Sequence, residues 1–439
     1  MRFMFALVAA SFAVVGFCAA QASGQNRIDE PSDSPSKPTA ELRLEDVLRI
    51  AVENQPHLES ARLESQARAG EALQAGLLPN PEVSLEVEDI GGSGERRGFE
   101  TSQTTLSLSQ LVELGGKRGK RKAVAADDRD LADWDYAAAR VEILTATTKA
   151  FVEALAAQER VALASDLVAL ASKSLRTVEA TVRSGAVSPI EAERARVLLS
   201  QSELERDRAK REMEAARRVL SAVIGLDKPS FESLGGSLSD TKPPPPLESY
   251  VAAIEGNPDL ARWSTEIARQ RDALALATAK RLPDVTLSAG PRYFADDDSF
   301  AAVLALSIPL PLFDRNQGEI QAAQSRLAKA PHERKSTELA IRESLALAYQ
   351  DLSSAFEQVR VLSDSVIPRS ESVYRGLLDG YARGLFRYVD VLDAQRTLFE
   401  LRGEHLTSLA AYHRAAAELA RLTGTPLDPT NAPSKKVNP

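Results

Sequence analysis

Two aspartates late in the chain, Asp390 and Asp393, stand three residues apart in Val389-Asp390-Val391-Leu392-Asp393-Ala394-Gln395. That spacing puts both carboxylates on one face of a helix. Turned toward a water-filled axis, such a pair concentrates cations and repels anions; on an outer surface it is a solvated acidic face. Other chemistry has less to work with. The four histidines are His57, His332, His405 and His413, none paired at i+4 and none beside a cysteine, so no zinc site is expected. No glycine-rich phosphate loop and no nucleophile–base pair stands out. The expectation is a protein that is not an enzyme and needs no cofactor.

Two further charged runs fit surface roles. Lys117, Arg118, Lys120, Arg121 and Lys122 form a basic run, read as a solvated face or a contact with lipid phosphates. Asp296, Asp297 and Asp298 read as a solvated loop. The formal net charge of −8, with the export signal described next, makes nucleic acid a poor partner.

Arg2, the apolar run Phe3–Phe17 and Ala20-Gln21-Ala22 make a cleavable signal peptide over residues 1–22. Cys18, the only cysteine, would leave with it, so no disulfide is expected. Residues 23–41 read as a flexible segment and 427–439 as a flexible tail. No later stretch is apolar enough for a spanning helix, so a membrane crossing would have to be made with strands.

The elements that must position the aspartates are written twice. Asn54-Gln55-Pro56 returns as Asn257-Pro258 and Pro81-Glu82-Val83-Ser84-Leu85 as Pro283-Asp284-Val285-Thr286-Leu287, both 202 residues on; Gly185 and Gly225 return as Gly384 and Gly424, 199 residues on. A period this long marks duplication of a half-protein, here 42–226 and 247–426, joined by a Pro-rich linker at 227–246. Each copy reads as a helix, a hairpin, a long helix and a return helix. The first helices are expected over 44–78 and 247–281. The hairpin strands alternate apolar and polar residues, as at Val83, Leu85 and Val87 against Glu82, Glu86 and Glu88. That pattern suits a membrane strand or a half-buried soluble hairpin. Phe99, Tyr293, Phe294 and Phe300 gather at the hairpin ends, as an interface girdle or as caps on a small core. The long helices, 117–182 and 317–382, need partner helices along their length. Pro331 should kink or break the second.

This order of elements resembles the TolC-like outer-membrane efflux family over residues 42–426. The runs Leu78-Pro79-Asn80-Pro81-Glu82 and Glu113-Leu114-Gly115-Gly116-Lys117-Arg118 look like its CzcC-like heavy-metal branch. The resemblance implies a mainly α fold with a small β part: a transmembrane β-barrel closed by a homotrimer and continued by a periplasmic α-helical barrel. It implies the outer membrane of a Gram-negative bacterium as location. As partners it implies a periplasmic adaptor and a proton-driven inner-membrane pump, and as function the expulsion of divalent cations such as cobalt, zinc or cadmium.

The resemblance also assigns roles. Tyr381, Asp390 and Asp393 match the family's periplasmic gate, which has an arginine two residues after the turn glycine; here Phe386 holds that place and Arg387 follows. Ser184, Gly185, Ala186, Val187 and Ser188, with Arg383, Gly384, Leu385 and Phe386, are the helix–helix turns expected to dock the adaptor. Glu86, Glu88, Thr286 and Ser288 would face the barrel lumen. In the first copy Glu191 and Arg194 occupy the places of Asp390 and Asp393, so the acidic gate is expected from the second copy alone. Two other readings keep part of this pattern: an exit duct for drugs or a secreted polypeptide, and a soluble periplasmic coiled-coil scaffold.

Overall fold

The computed structural model describes residues 39–425 apart from Ala186. The signal peptide, most of the N-terminal segment, the C-terminal tail and Ala186 of the first docking turn lie outside the described residues. Contacts divide the chain after Thr39, and the unit beginning at Ala40 holds all that follows.

The first copy runs β1 (Thr39–Leu42), α1 (Leu44–Asn54), α2 (Pro56–Ala75), β2 (Glu82–Glu88), β3 (Gln103–Val112), α3 (Lys117–Arg183) and α4 (Pro189–Val223). The second runs β4 (Phe231–Leu234), α5 (Leu247–Ala253), α6 (Pro258–Ala279), β5 (Val285–Phe294), β6 (Ser299–Ser307), α7 (Gln317–Val361), α8 (Ile367–Ala382) and α9 (Tyr388–Thr423).

The first helix expected over 44–78 is two helices. Pro56 lacks an N–H and holds Gln55 extended (φ −74°, ψ 114°), so α1 stops and α2 starts afresh with Gln55 as its cap. Asn257-Pro258 divides the second copy in the same way, after a 3₁₀ turn at Ile254–Gly256. Pro331 does the opposite of what was expected: α7 continues through it. Proline removes one hydrogen bond, and its neighbour Ala330 is buried, so packing holds the turns on either side. The irregularity falls later, in a π turn at Leu362–Val366 ahead of Pro368.

The four long strands form one antiparallel sheet in the order β2-β3-β5-β6, so the two hairpins pair with each other and β2 and β6 are left as edges. β6 ends at Ser307, because Pro309 and Pro311 cannot donate to a ladder. The linker is more ordered than its prolines suggest. Phe231, Leu234 and Leu238 are buried, β4 pairs with β1, and Tyr412 Oη bridges the Lys242 backbone, donating to its carbonyl (2.9 Å) and accepting from its N–H (3.0 Å).

The helices stack end to end. Gln55 Nε2 donates to the Val223 carbonyl (2.9 Å), so α2 prolongs the line of α4. Asn257 Nδ2 donates to the carbonyls of Arg421 (3.3 Å) and Leu422 (3.2 Å), so α6 prolongs α9. Gly225 and Gly424 close these joints with φ of 79° and 65°. A Cβ on either would collide with backbone of the abutting helix. α3 packs against α2 and α4 on one side and α6 and α9 on the other; α7 packs against α6 and α9.

The basic run is a staple where sheet meets helix, not a solvated face. Arg118 Nε donates to the Gly76 carbonyl, and Arg121 to the carbonyls of Ala75 (2.8 Å) and Leu77 (3.3 Å), which are the bare acceptors at the end of α2. Arg121 also grips Glu113 through both oxygens (2.6 and 3.1 Å). Lys117, nearly buried, meets Asp284 of the second copy at 2.7 Å, and Asp284 also accepts from the Leu114 N–H (2.9 Å).

Candidate gate, docking turns and lumen face

The sheet sorts most of its polar and apolar side chains onto opposite faces. Directly paired residues share a face, and Glu86↔Thr105, Glu88↔Gln103, Ser109↔Ser288 and Thr286↔Ser307 place Glu86, Glu88, Thr286 and Ser288 together. Arg292 joins them: it contacts Glu88 (3.2 Å), Thr105 Oγ1 (2.8 Å) and Gln103 Oε1 (3.1 Å). Sequence reasoning passed over Arg292, although its parity with Thr286 and Ser288 puts it on their face. The other face carries Val83, Leu85, Leu106, Leu108, Leu287, Phe300, Leu304 and Leu306, all exposed. Phe300 packs against Tyr293 (ring centroids 5.1 Å) at the hairpin end.

At the far end of the helices α8 stops in a Schellman motif: the Gly384 N–H donates to Tyr381 O and the Leu385 N–H to Gly380 O, both 2.9 Å, with Gly384 at φ 77°. The turn Arg383–Phe386 is exposed, and the Phe386 ring lies over Gly380, where any Cβ would strike it. The first-copy turn has Gly185 at φ 76°, and Ser188 caps α4, its Oγ accepting from the Ile190 N–H (3.4 Å). Ser184, Gly185 and Ser188 are exposed and Val187 is half-buried.

Asp390 and Asp393 each meet an arginine of their own helix end. Asp390 accepts from the Arg387 N–H (3.1 Å), the carboxylate half of a capping box, and pairs with its guanidinium (3.4 Å). Asp393 pairs with Arg396 (2.9 Å), which also approaches Glu400 (3.7 Å). The acidic face therefore carries its own counter-ions. The Asp390 carboxylate serves the helix N-terminus and Arg387 together; the Asp393 side chain is well exposed.

Tyr381 is not on that face. It is buried in a cluster with Tyr374 and Tyr388, one residue in seven along α8 and α9, its ring 5.4 Å from Tyr388. Tyr388 Oη lies 2.9 Å from Ser174 Oγ of α3. Burial pushes all three phenols up, and for Tyr381 and Tyr388 the nearby Glu191 carboxylate adds to it. Glu191, which holds Arg194 at 3.2 Å, thus brings the first-copy tip against the tyrosines of the second. The heptad spacing of the tyrosines was the signal that could have found this cluster. Among the described residues no group of three or more His, Cys, Asp or Glu is placed to hold a metal ion.

A family model described as Outer membrane efflux protein matches residues 47–226 and 250–425. The cobalt-zinc-cadmium resistance protein CzcC of Cupriavidus metallidurans is 32% identical over 390 residues, covering 89% of this chain and 92% of that protein. The nickel-cobalt-cadmium resistance protein NccC of Alcaligenes xylosoxydans xylosoxydans is 27% identical over 60% of each chain. Among solved structures, the outer membrane protein VceC of Vibrio cholerae superposes with a TM-score of 0.72 at 20% identity, over 87% of this chain and 96% of that one, and so shares the fold.

Proposed function

The chain belongs to the outer membrane efflux protein family, and on that footing we propose that it is the exit duct of a tripartite system expelling divalent heavy-metal cations. The observation that carries the reading is the sheet. Its polar face holds Glu86, Glu88, Arg292, Thr286 and Ser288, its apolar face is bare, and both edges are open. Open edges cannot stand in lipid, and closure of several copies into one barrel removes them. Three copies then give a wall with the polar face around water and the apolar face toward lipid. The stacked helices continue that wall into the periplasm, and their turns at Ser184–Ser188 and Arg383–Phe386 meet the adaptor, which couples the duct to an inner-membrane pump.

Asp390 and Asp393, repeated about the axis, form two rings of carboxylates, each with an arginine beside it. Such rings favour cations while Arg387 and Arg396 temper the field. Substrate class rests on similarity to the cobalt-zinc-cadmium resistance protein over most of both chains. The test is a deletion strain, which should lose growth in cobalt, zinc or cadmium salts at concentrations the parent tolerates and regain it with the gene in trans. Unchanged metal tolerance with a gain in drug sensitivity would move the substrate to organic compounds and leave the duct standing.

A further inference from the structure

Between α4 and α9 a groove of about 440 Å³ runs over a floor made by α3. It stays open because Ala164 of α3, Ala209 of α4 and Gly403 of α9 line it with almost no side-chain volume. A Cβ on Gly403 would meet nothing within 4 Å. In the first copy the place of Gly403 is held by Leu204, 199 residues earlier (403 − 204), so a return helix of this chain carries a leucine there. The walls are apolar, chiefly Leu167, Leu198 and Phe399. Toward the tip the groove continues past Leu167 and Leu198 to Asp393. Asp393, Glu400 and Thr407 stand seven apart on α9, two turns each, and so share one face. Glu400 and Thr407 line the groove, which therefore opens on the face that carries the second gate aspartate.

One group in the groove has no use in the fold. Gln395 lines it and is 1% exposed, yet neither Oε1 nor Nε2 has a hydrogen-bond partner among the described residues. A buried amide left unpaired is costly, and native structures keep few of them. It has an acceptor and two donors to give to an occupant. Charge selects the occupant further. The lip carries Glu205, Glu212 and Glu400 with Arg160 and Arg396. Arg396 is held by Asp393 (2.9 Å) and Glu212 by Arg208 (2.9 Å). With those partners included, four carboxylates meet three guanidiniums, and the lip is net negative. Glu205 and Arg160 make no ion pair among the described residues, so a carboxylate stands ready at the edge of an apolar slot.

We infer that this groove is a binding site for an apolar organic cation bearing an amine or amide group, on the water side of the wall. The apolar body lies on Leu167, Leu198 and Phe399, its polar group pairs with the Gln395 amide, and its charge sits by Glu205. The volume is that of sites which hold small organic molecules. The water-side placement rests on the proposed duct, in which Asp393 faces the axis; a mouth ringed by carboxylates also admits cations before anions. α4 and α9 share no extensive contact, so the occupant spans a gap that the fold leaves open and narrows the path beside it.

The test titrates the detergent-held full chain with ethidium, a flat aromatic cation with two amino groups, and follows fluorescence anisotropy. Binding should saturate. Gly403→Leu fills the groove, suits a helix better than glycine, and should weaken binding about tenfold or more. Gln395→Leu removes both unpaired amide atoms at little cost to the fold and should weaken it about three- to tenfold. Equal binding by the parent and both variants would mean that the dye partitions into detergent, and overturns the site. Binding of anilinonaphthalenesulfonate, an apolar anion, as tightly as ethidium overturns the choice of a cation. Single-channel current through the parent should fall on adding ethidium and stay constant in Gly403→Leu. A current that ethidium leaves untouched, with groove-dependent binding intact, overturns the water-side placement. Failure of the efflux reading is seen separately, as unchanged metal tolerance of the deletion strain, and leaves the binding titrations as they are.

Discussion

At the scale of single residues, the two aspartates show how far spacing alone reaches. Their i, i+3 relation is legible in sequence because helix geometry fixes it. Their counter-ions were not: Arg387 becomes a partner only because Asp390 sits at the third position of α9, where a carboxylate bonds back to the helix start. The same limit applied to Tyr381, whose burial depends on Tyr388 and Glu191 arriving from two other helices. If the carboxylates line the path, Asp390→Asn with Asp393→Asn leaves Arg387 without its carboxylate and Arg396 with Glu400 alone, and turns a cation-preferring mouth toward anions. Reversal potentials of single channels in a salt gradient should shift accordingly, and an unchanged potential would remove the gate role.

At the scale of elements, prolines open helices at Pro56, Pro189 and Pro258, the first and last of them inside the single helices expected over 44–78 and 247–281, and Pro331 leaves α7 unbroken where a kink or break was expected. The difference is local at the first three, where the missing N–H would have had no helical partner. Pro331 is decided by tertiary packing: its neighbour Ala330 is buried, and the one lost bond does not break the helix. The junction at Glu113–Lys122 is likewise tertiary. Its basic residues meet carbonyls of α2 and a carboxylate 167 positions away, which no local reading could supply. Asp284→Ala leaves Lys117 nearly buried without its partner, and should cost about 1–3 kcal/mol. Denaturant unfolding of the detergent-held protein would measure it. A loss within error of the parent would mean that water replaces Asp284 freely and that the staple adds nothing.

At the scale of the whole molecule, the two faces of the sheet make the membrane assignment open to a direct trial. Leu304 and Val303 are neighbours on β6 with opposite directions. Leu304→Lys puts a charge on the bare apolar face and should destabilise the inserted protein by about 2–4 kcal/mol near the midplane. Val303→Lys, on the face of Glu88 and Arg292, should cost far less. Folding titrations into lipid vesicles distinguish them, and equal costs would sink the assignment of lipid and water sides.

The chain by itself determined the duplication, the alternation of strands and helices, the glycine turns and the face on which each strand residue lies, because these follow from period, φ preference and missing donors within a few residues. Tertiary structure decided which charges are neutralised, where the basic run spends its donors, that Pro331 is absorbed, and that the two hairpins share one sheet. Those outcomes depend on groups brought together from distant segments, and their energies do not exist until the helices stack.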